Sequence, residues 1–297
     1  MSFPHPSHAA GLIDLGGPFD LAAPRAVVPH DARMETTYVH YATDGRRLES
    51  EVFALTLRCP PASGGTAPFV CEELVVTIAD DPRIALPSLR DWRYEFDPTM
   101  TGADGRGPLW GIDQEIFHSL SDASGAFLPF KIRYAAYVNF IDFHSLNDVF
   151  TRPMPFGQGI QNLARIGDRV VHPASHIEAS VGFGTEIGPG SMFRNGEITL
   201  EFKGIGLIDG APCAIVAYDA GESKLRMAVN GSDGERGVAS GGSLYKGDIW
   251  VDLSSRWVVK ATLDEYQIAE TQTSGSAPSR VEYTARHLAL RSRPRSE

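Results

Sequence analysis

The feature that most constrains the fold is the last third of the chain, where apolar strand-like runs alternate with short turn signals. Asp209-Gly210 and Asn230-Gly231 are such signals, because these dipeptides accept positive φ and favour tight hairpin turns. Turns are also expected at Gly221-Glu222, Ser254-Ser255 and Ser274-Gly275. The predicted strands are Glu197–Ile208, Cys213–Tyr218, Ser223–Val229, Gly241–Leu253, Trp257–Thr271 and Arg280–Leu290. Strands joined by short connections indicate an antiparallel meander.

Composition extends this prediction to the whole chain. Of its 297 residues, 42% are hydrophobic, which is enough for a core, while 30 glycines and 20 prolines break helices and favour turns. We therefore predict an all-β protein with minor α content, in which a curved antiparallel sheet forms a β-barrel or half-barrel around an apolar cavity. Residues 1–35 are predicted to be an extended Pro-rich arm and residues 36–297 a single β-barrel-like domain. Such an arm can wrap its own domain or a partner subunit, so a homodimer is one of the expected assemblies.

Charge and cysteine usage restrict the expected partners and location. The chain carries 37 acidic and 27 basic residues, and its formal charge of −10 repels phosphate backbones, which argues against nucleic-acid binding. No apolar run approaches the ~20 residues of a membrane-spanning helix, and the N-terminus has no basic region typical of a secretory signal. The cysteines, Cys59, Cys71 and Cys213, are predicted to be buried free thiols. We expect a cytoplasmic protein without a membrane partner.

A hairpin is predicted in the N-terminal half, from residues 46–59 and 69–78. Large apolar or sulfur-containing side chains recur at alternate positions there, which places Phe53, Leu55, Leu57 and Cys59 on one face of a strand. The Gly- and Pro-rich connection between the two runs returns the chain.

The most apolar and aromatic segment is 133–150, and we predict a central strand over residues 129–143. Asp142 and His144 stand two positions apart there, and in an extended strand such side chains point to the same face. A carboxylate can orient an imidazole and raise its basicity, which gives a general base near neutral pH. The alternatives are a structural Asp–His hydrogen bond, or an aspartate that caps the following turn.

A short helix is predicted near residues 113–120, with Asp113 as its cap. Glu115 and His118 are three positions apart and share one face of this helix. They form either a surface ion pair or an acid/base pair on a lid over the barrel mouth.

His172 and His176 have the spacing of a helical metal-binding pair. Pro173 argues against a helix at this place, so the two side chains are not required to converge. The alternative is that both histidines lie at the surface or at strand ends.

Aromatic residues at alternate positions mark a candidate ligand surface. Trp92, Tyr94 and Phe96 recur at period two in a probable strand within residues 84–97, and such a row builds either a core wall or the lining of a ligand cavity. The complete candidate ligand-binding set is Trp92, Tyr94, Phe96, Trp110, Tyr134, Tyr137, Asn139 and Phe140.

The segments Gly196–Gly204, Asp209–Tyr218 and Gly247–Lys260 together carry a resemblance. Their strand pattern resembles lipoprotein-carrier-type half-barrels, and the likeness covers roughly residues 195–272. Members of that superfamily include periplasmic lipoprotein carriers and an enzyme of violacein biosynthesis. The resemblance implies a Gly-punctuated antiparallel sheet that curls around an apolar cavity. It assigns no functional residue, and the expected lack of a secretory signal leans toward the cytosolic, enzyme-like branch.

Three function hypotheses follow. The first is an enzyme without a cofactor that acts on a small apolar or aromatic molecule by proton transfer, as a lyase, isomerase or cyclase, with Asp142 and His144 as base or acid. The second is a non-catalytic binding protein for a lipophilic ligand. The third is a metal-dependent enzyme that uses His144, His172 and His176. Second-tier candidates for the first hypothesis are Glu115, His118, Tyr137, Asn139 and His176. The sequence contains no Gly-x-Ser-x-Gly, Walker A or HExxH motif.

Overall fold

The computed structural model describes residues 17–61, 67–79, 81–100, 108–151, 157–231, 236–274 and 278–295. Within these residues the chain is all-β, with one curved and unclosed antiparallel sheet of 13 strands. The strands are β1 His30–Tyr41, β2 Arg47–Cys59, β3 Phe69–Ile78, β4 Ile84–Ala85, β5 Trp92–Tyr94, β6 Arg169–Val171, β7 Glu178–Ser180, β8 Met192–Arg194, β9 Ile198–Ile208, β10 Ala211–Asn230, β11 Arg236–Asp252, β12 Val258–Thr273 and β13 Arg280–Pro294. The α-helices are α1 Glu115–His118 and α2 Phe130–His144, and short 3-10 turns lie at Pro87–Leu89 and Ile160–Asn162.

The strands follow the order β4-β3-β2-β1-β13-β12-β11-β10-β8-β7, while β9 pairs with β10 and β6, and β5 pairs with β3. The first and last strands of the chain are neighbours, because β1 pairs with β13 along its whole length, from His30 opposite Pro294 to Tyr41 opposite Tyr283. This pairing joins an N-terminal meander to a C-terminal one in a single sheet.

The predicted C-terminal meander is confirmed, with one correction. Cys213–Tyr218 and Ser223–Val229 were expected to be two strands, but they are parts of the single strand β10. The register with β11 shifts between Ala220 and Ser223, so the expected turn at Gly221-Glu222 is a bulge within one long strand. The Asp209-Gly210 turn forms as predicted, with positive φ at both residues.

The predicted N-terminal hairpin is also confirmed, as β2 and β3. Phe53, Leu55 and Leu57 are fully buried, which agrees with the alternation in the sequence. The cysteines are buried and free, as expected; they are Cys59, Cys71 and Cys213.

The central strand predicted over residues 129–143 is wrong, because this segment forms helix α2. A π-helical turn at Ser145–Val149 extends the helix. Neither glycine nor proline interrupts residues 130–149, and a run of that length fits a helix better than a strand. Buried Ile132, Ala136 and Phe140 recur every fourth residue, so one face of the helix packs on the core. Tertiary packing here outweighs the β propensity of the aromatic residues.

Helix α2 lies across one face of the sheet, which we call the inner face. The Lys131 ammonium lies 2.5 Å from Glu51 on β2. Farther along the helix, Thr36 on β1 donates a hydrogen bond to Asn139 at 2.6 Å. Polar contacts therefore tie the helix to successive strands, in addition to its apolar packing. No helix in the described part of the chain is both long and apolar enough to cross a membrane.

The described part of the N-terminal segment packs along the domain. Phe19 contacts Phe202 edge-on, and Leu21 is buried. The Trp257 indole donates a hydrogen bond to the Ala26 carbonyl at 3.1 Å. Because β1 begins at His30, the sheet takes in the end of the region assigned to the arm; residues 1–16 lie outside the described part.

Candidate functional site

Asp142 and His144 do not share a site, contrary to the sequence prediction. On a helix, residues two positions apart point about 200° apart, because each residue turns the helix by about 100°. The Asp142 side chain faces Arg286 on β13, whereas His144 faces Tyr94 and Asp148. The two residues therefore belong to separate polar networks.

The first network, the Asp142 cluster, consists of Asp142, Arg286 and Glu265. Nη1 of Arg286 donates a hydrogen bond to Oδ2 of Asp142 at 2.5 Å, and its Nε lies 2.7 Å from Oε2 of Glu265. Glu265 and Arg286 are directly opposite on β12 and β13, and Tyr38 on β1 is opposite Arg286 on the other side. The three charged side chains are only 11–13% exposed, so the cluster is nearly enclosed yet reachable from solvent.

The electrostatics of the cluster favour a proton on Asp142. Burial raises the pKa of Asp142 to about 6, against the opposing effect of Arg286, and the negative charge of Glu265 raises it further. Burial also opposes the charge on Arg286, but Asp142 and Glu265 outweigh this effect and the pKa of the guanidinium lies above its usual range. Asp142 can therefore exchange a proton near neutral pH while Arg286 stays charged.

Tyrosines surround the cluster. The Arg286 guanidinium lies over the Tyr38 ring, 5.8 Å from its centroid, in a cation–π contact. Burial raises the pKa of Tyr134 to about 12, and the nearby Asp142 charge adds to this shift. The Tyr245 hydroxyl donates to Asn195 at 2.6 Å. These phenols remain neutral hydrogen-bonding groups at physiological pH.

The second network surrounds His144 and is closed to water. Nε2 of His144 is 2.9 Å from the Tyr94 hydroxyl, and its Nδ1 is 2.6 Å from Oδ2 of Asp148. Nη1 of Arg25 lies 3.1 Å from Asp148, and the Phe96 ring stacks on the imidazole at 4.5 Å. The His144 and Asp148 side chains are fully buried, so this network connects the N-terminal segment to the end of α2 and offers no surface to a substrate.

The aromatic residues predicted to contact a ligand pack mainly against one another. Trp92 and Tyr94 stack at 4.7 Å, and Phe140 meets both rings edge-on. Phe96 is 6.2 Å from Trp110. Trp92, Tyr94 and Phe96 therefore fit the alternative of a core wall. The strand in this region, β5, is shorter than expected and covers only Trp92–Tyr94. Of the other members, Tyr137 packs against Phe117, Asn139 hydrogen-bonds Thr36, and Tyr134 lies near the Asp142 cluster.

The predicted short helix forms as α1, and the Asp113 carboxylate accepts a hydrogen bond from the Glu115 amide at 3.0 Å. Glu115 and His118 form an ion pair at 3.4 Å, in which the Glu115 side chain is 76% exposed. The His118 ring packs edge-on against Phe183. The surface ion-pair alternative fits this geometry.

The histidines of the metal hypothesis are not brought together. Burial lowers the pKa of His172 to about 4, so its ring is neutral. His176 is 57% exposed, and Glu197 lies 3.9 Å from it. His144 belongs to the buried network with Asp148. Across the described ranges, no three His, Cys, Asp or Glu side chains converge in a way that could hold a metal ion.

Sequence reasoning identified Asp142 but missed its partners, Arg286 and Glu265. A signal for both was present in the alternation of the last two strands. Leu263 and Leu288 are buried, and the residues two positions away on the same face are Glu265 and Arg286. Charged residues on the core-facing side of an apolar strand need partners, because an isolated buried charge is costly.

Comparisons with known proteins assign no family. No family model matches the sequence, and no curated protein matches it. Among solved structures, the outer membrane protein OmpT of Vibrio cholerae, in its trimer form, aligns over 90% of this chain and 100% of that one, at 10% identity. The TM-score of 0.18 is too low to support any conclusion about fold or function.

Proposed function

We propose that the protein is an enzyme that moves a proton on a small apolar or aromatic molecule, with Asp142 as the acid/base group. The observation that carries the proposal is a nearly enclosed carboxyl whose pKa is raised to about 6, bound to an arginine that a second carboxylate shares. Titratable groups whose pKa is shifted by burial and by a specific charged partner are common at catalytic sites.

The cluster divides the chemical work between its members. Ionised Asp142 accepts a proton from a carbon or oxygen of the substrate and returns it at another atom. Arg286 positions the Asp142 carboxylate and stabilises negative charge that develops on the substrate. Glu265 holds Arg286 in place when Asp142 is protonated, so the geometry survives both protonation states. The surrounding phenols of Tyr38 and Tyr134 supply a surface suited to an aromatic ring.

Exchange of substrate hydrogen with solvent tests this proposal without knowledge of the natural substrate. The protein is incubated in D₂O with a panel of small enolisable aromatic ketones, and deuterium uptake is measured by mass spectrometry. We expect exchange in at least one compound, and a loss of about 100-fold or more in Asp142→Asn, in line with typical acid/base contributions. Asp264→Asn is the matched control, because Asp264 precedes Glu265 on β12 but is 49% exposed and pairs with His287. Exchange that is equal in wild type and Asp142→Asn would rule out the proposal.

A second candidate function is the binding of a lipophilic ligand in a cleft along strands β11, β12 and β13. The cleft has a volume of about 580 Å³, within the size range of small-molecule sites. Leu244 is opposite Tyr266, and Ile268 is opposite Tyr283; all four side chains line the cleft and are exposed.

Binding of the apolar dye Nile red tests this second candidate. We expect Tyr266→Ser with Ile268→Ser to weaken dye binding about tenfold or more. Leu207→Ser is the control, because Leu207 is 62% exposed on β9 and does not line the cleft. Equal weakening by the control and the double variant would count against a specific ligand site.

A further inference from the structure

A chain of hydrogen bonds links Thr284, His40 and Glu51 on the inner face. Oγ1 of Thr284 is 3.0 Å from Nδ1 of His40, and Nε2 of His40 is 3.0 Å from Oε2 of Glu51. The strand register produces this arrangement, because His40 on β1 is directly opposite Thr284 on β13. Glu51 on β2 is opposite Tyr38, the neighbour of His40 on the same face of β1. A hydroxyl, an imidazole and a carboxylate thus follow one another across three adjacent strands.

The charge on Glu51 determines which ring nitrogen of His40 carries a proton. Burial alone would raise the pKa of Glu51, but hydrogen bonds from His40 and Lys131 outweigh it and hold the pKa below its usual range. An ionised carboxylate can only accept hydrogen bonds, so Nε2 of His40 carries a proton. In the neutral imidazole, Nδ1 is then an acceptor, and the Thr284 hydroxyl donates to it. This tautomer is the one that lets His40 remove the hydroxyl proton.

We propose that Thr284 is a nucleophile for acyl transfer from activated esters or thioesters of small carboxylic acids. Oγ1 of Thr284 attacks the acyl carbon, a C–O bond forms, and the hydroxyl proton moves to Nδ1 of His40. The bond to the leaving alcohol or thiol then breaks, and that group takes the proton from His40. Water attacks the acyl-threonine by the same route, which releases the acid and restores Thr284. Glu51 is a positioning residue that fixes the His40 tautomer and stabilises the imidazolium.

The neighbouring strands supply polar groups for such a substrate. Ser243, Gln267, Thr284 and His40 are successive cross-strand partners, so they form one row on the inner face. Ser243 is only 3% exposed, and its hydroxyl has no hydrogen-bond partner among the residues that the structure describes. A buried hydroxyl without a hydrogen-bond partner destabilises the protein, so an oxygen of a bound acyl group that accepted a hydrogen bond from Ser243 would be favoured there. Two strand spacings, roughly 10 Å, separate Ser243 from Thr284.

This inference is independent of the proton-transfer function proposed for Asp142. Thr284 and Arg286 are on the same face of β13, but the acyl-transfer step uses neither Arg286 nor Asp142. Loss of one activity would leave the other unchanged, so the two proposals can fail separately.

Acetylation by p-nitrophenyl acetate tests the inference on the full chain. Mass spectrometry of the quenched protein is expected to locate the acetyl group on Thr284. We expect Thr284→Val to abolish this adduct and His40→Gln to slow its formation about 100-fold or more. Thr284→Ser, which retains the hydroxyl, is expected to keep the adduct at the same position. Circular dichroism melting curves establish that each variant is folded.

Thr37→Val is the matched control. Thr37 is also opposite a histidine, His287, which is 2.7 Å from Asp264, but this group lies on the outer face. We expect the control to be acetylated on Thr284 at the wild-type rate. Absence of acetyl from Thr284, or acetylation of Thr284 that proceeds at the wild-type rate in His40→Gln, would overturn the inference.

Discussion

The Asp142 carboxylate lies 2.5 Å from Nη1 of Arg286, and this pair joins helix α2 to the inner face of the sheet. Arg286 also pairs with Glu265, so one positive charge is shared between two nearly buried carboxylates. The cluster has a net charge of −1 when all three groups are ionised, which favours uptake of one proton. The pKa of Asp142, raised to about 6, identifies it as the group that takes that proton.

Asp142→Asn should remove the loss of folding stability that ionisation of Asp142 causes as the pH rises. Because the pKa of Asp142 is higher in the folded protein than its usual 3.8, the folded state binds the proton more tightly than the unfolded state. The contribution of Asp142 to the free energy of unfolding is therefore most favourable below about pH 4, and it declines as the pH rises through 6. A shift of this size corresponds to about 3 kcal/mol. Urea unfolding should show wild type losing that stability relative to Asp142→Asn between pH 4 and pH 7.5; parallel pH profiles would contradict this.

His172 should make folding stability depend on pH in the opposite direction. Burial lowers its pKa to about 4, below the usual 6.5, so the unfolded chain binds the proton more tightly. The stability that neutral His172 contributes is present above pH 6.5 and is lost as the pH falls toward 4, by about 3 kcal/mol. His172→Gln should reduce the acid-induced loss measured by urea unfolding. His176→Gln, at an exposed position, should follow wild type, and an equal response of both variants would argue against burial as the cause.

Asp148→Asn should destabilise the fold without affecting hydrogen exchange on a substrate. Asp148 is the carboxylate that compensates buried Arg25, and it also holds Nδ1 of His144. Removal of one partner from a buried pair costs about 3–5 kcal/mol. Asp44→Asn, in a pair that is about two-thirds exposed, should change the unfolding free energy by about 0.5 kcal/mol or less. An equally small change in the unfolding free energy of Asp148→Asn would show that the buried network does not stabilise the fold.

Gly247→Ala should destabilise the curved sheet. A Cβ atom at this position of β11 would lie 1.9 Å from the Thr262 carbonyl oxygen and 2.7 Å from the Tyr218 hydroxyl. Neither group can move freely, because Tyr218 is buried and donates a hydrogen bond to that same carbonyl. We expect a loss of about 2 kcal/mol or more in thermal or urea unfolding. Gly237→Ala on the same strand is the control, since its Cβ would meet nothing closer than 3.9 Å.

Much of the sheet could be predicted from the sequence, because strand alternation and turn dipeptides are local signals. The Asp209-Gly210 turn and the β2–β3 hairpin formed as expected. Helix α2 was missed because its aromatic and β-branched residues have strand propensity and its apolar residues are spread around the helix, so no one-sided apolar stripe marks it in the sequence. The uninterrupted length of residues 130–149, without glycine or proline, was the one signal that favoured a helix.

The candidate site could be predicted only in part. Asp142 was identified, but its pairing with His144 depended on an extended backbone that does not form. The true partner, Arg286, is 144 positions away in the sequence, and only the β1–β13 pairing and the docking of α2 bring it close. Asp148 was missed for the same reason, because its i, i+4 relationship to His144 has meaning only on a helix.

The most direct test of the proposed acid/base role is a titration of the Asp142 carboxyl group by ¹³C NMR between pH 3 and pH 9. Asp142→Asn assigns the signal by its disappearance. We expect a midpoint near pH 6, because the carboxyl is buried against Arg286 and Glu265. A midpoint near the ordinary aspartate value of about 4 would contradict the proposed role of Asp142 as an acid/base group.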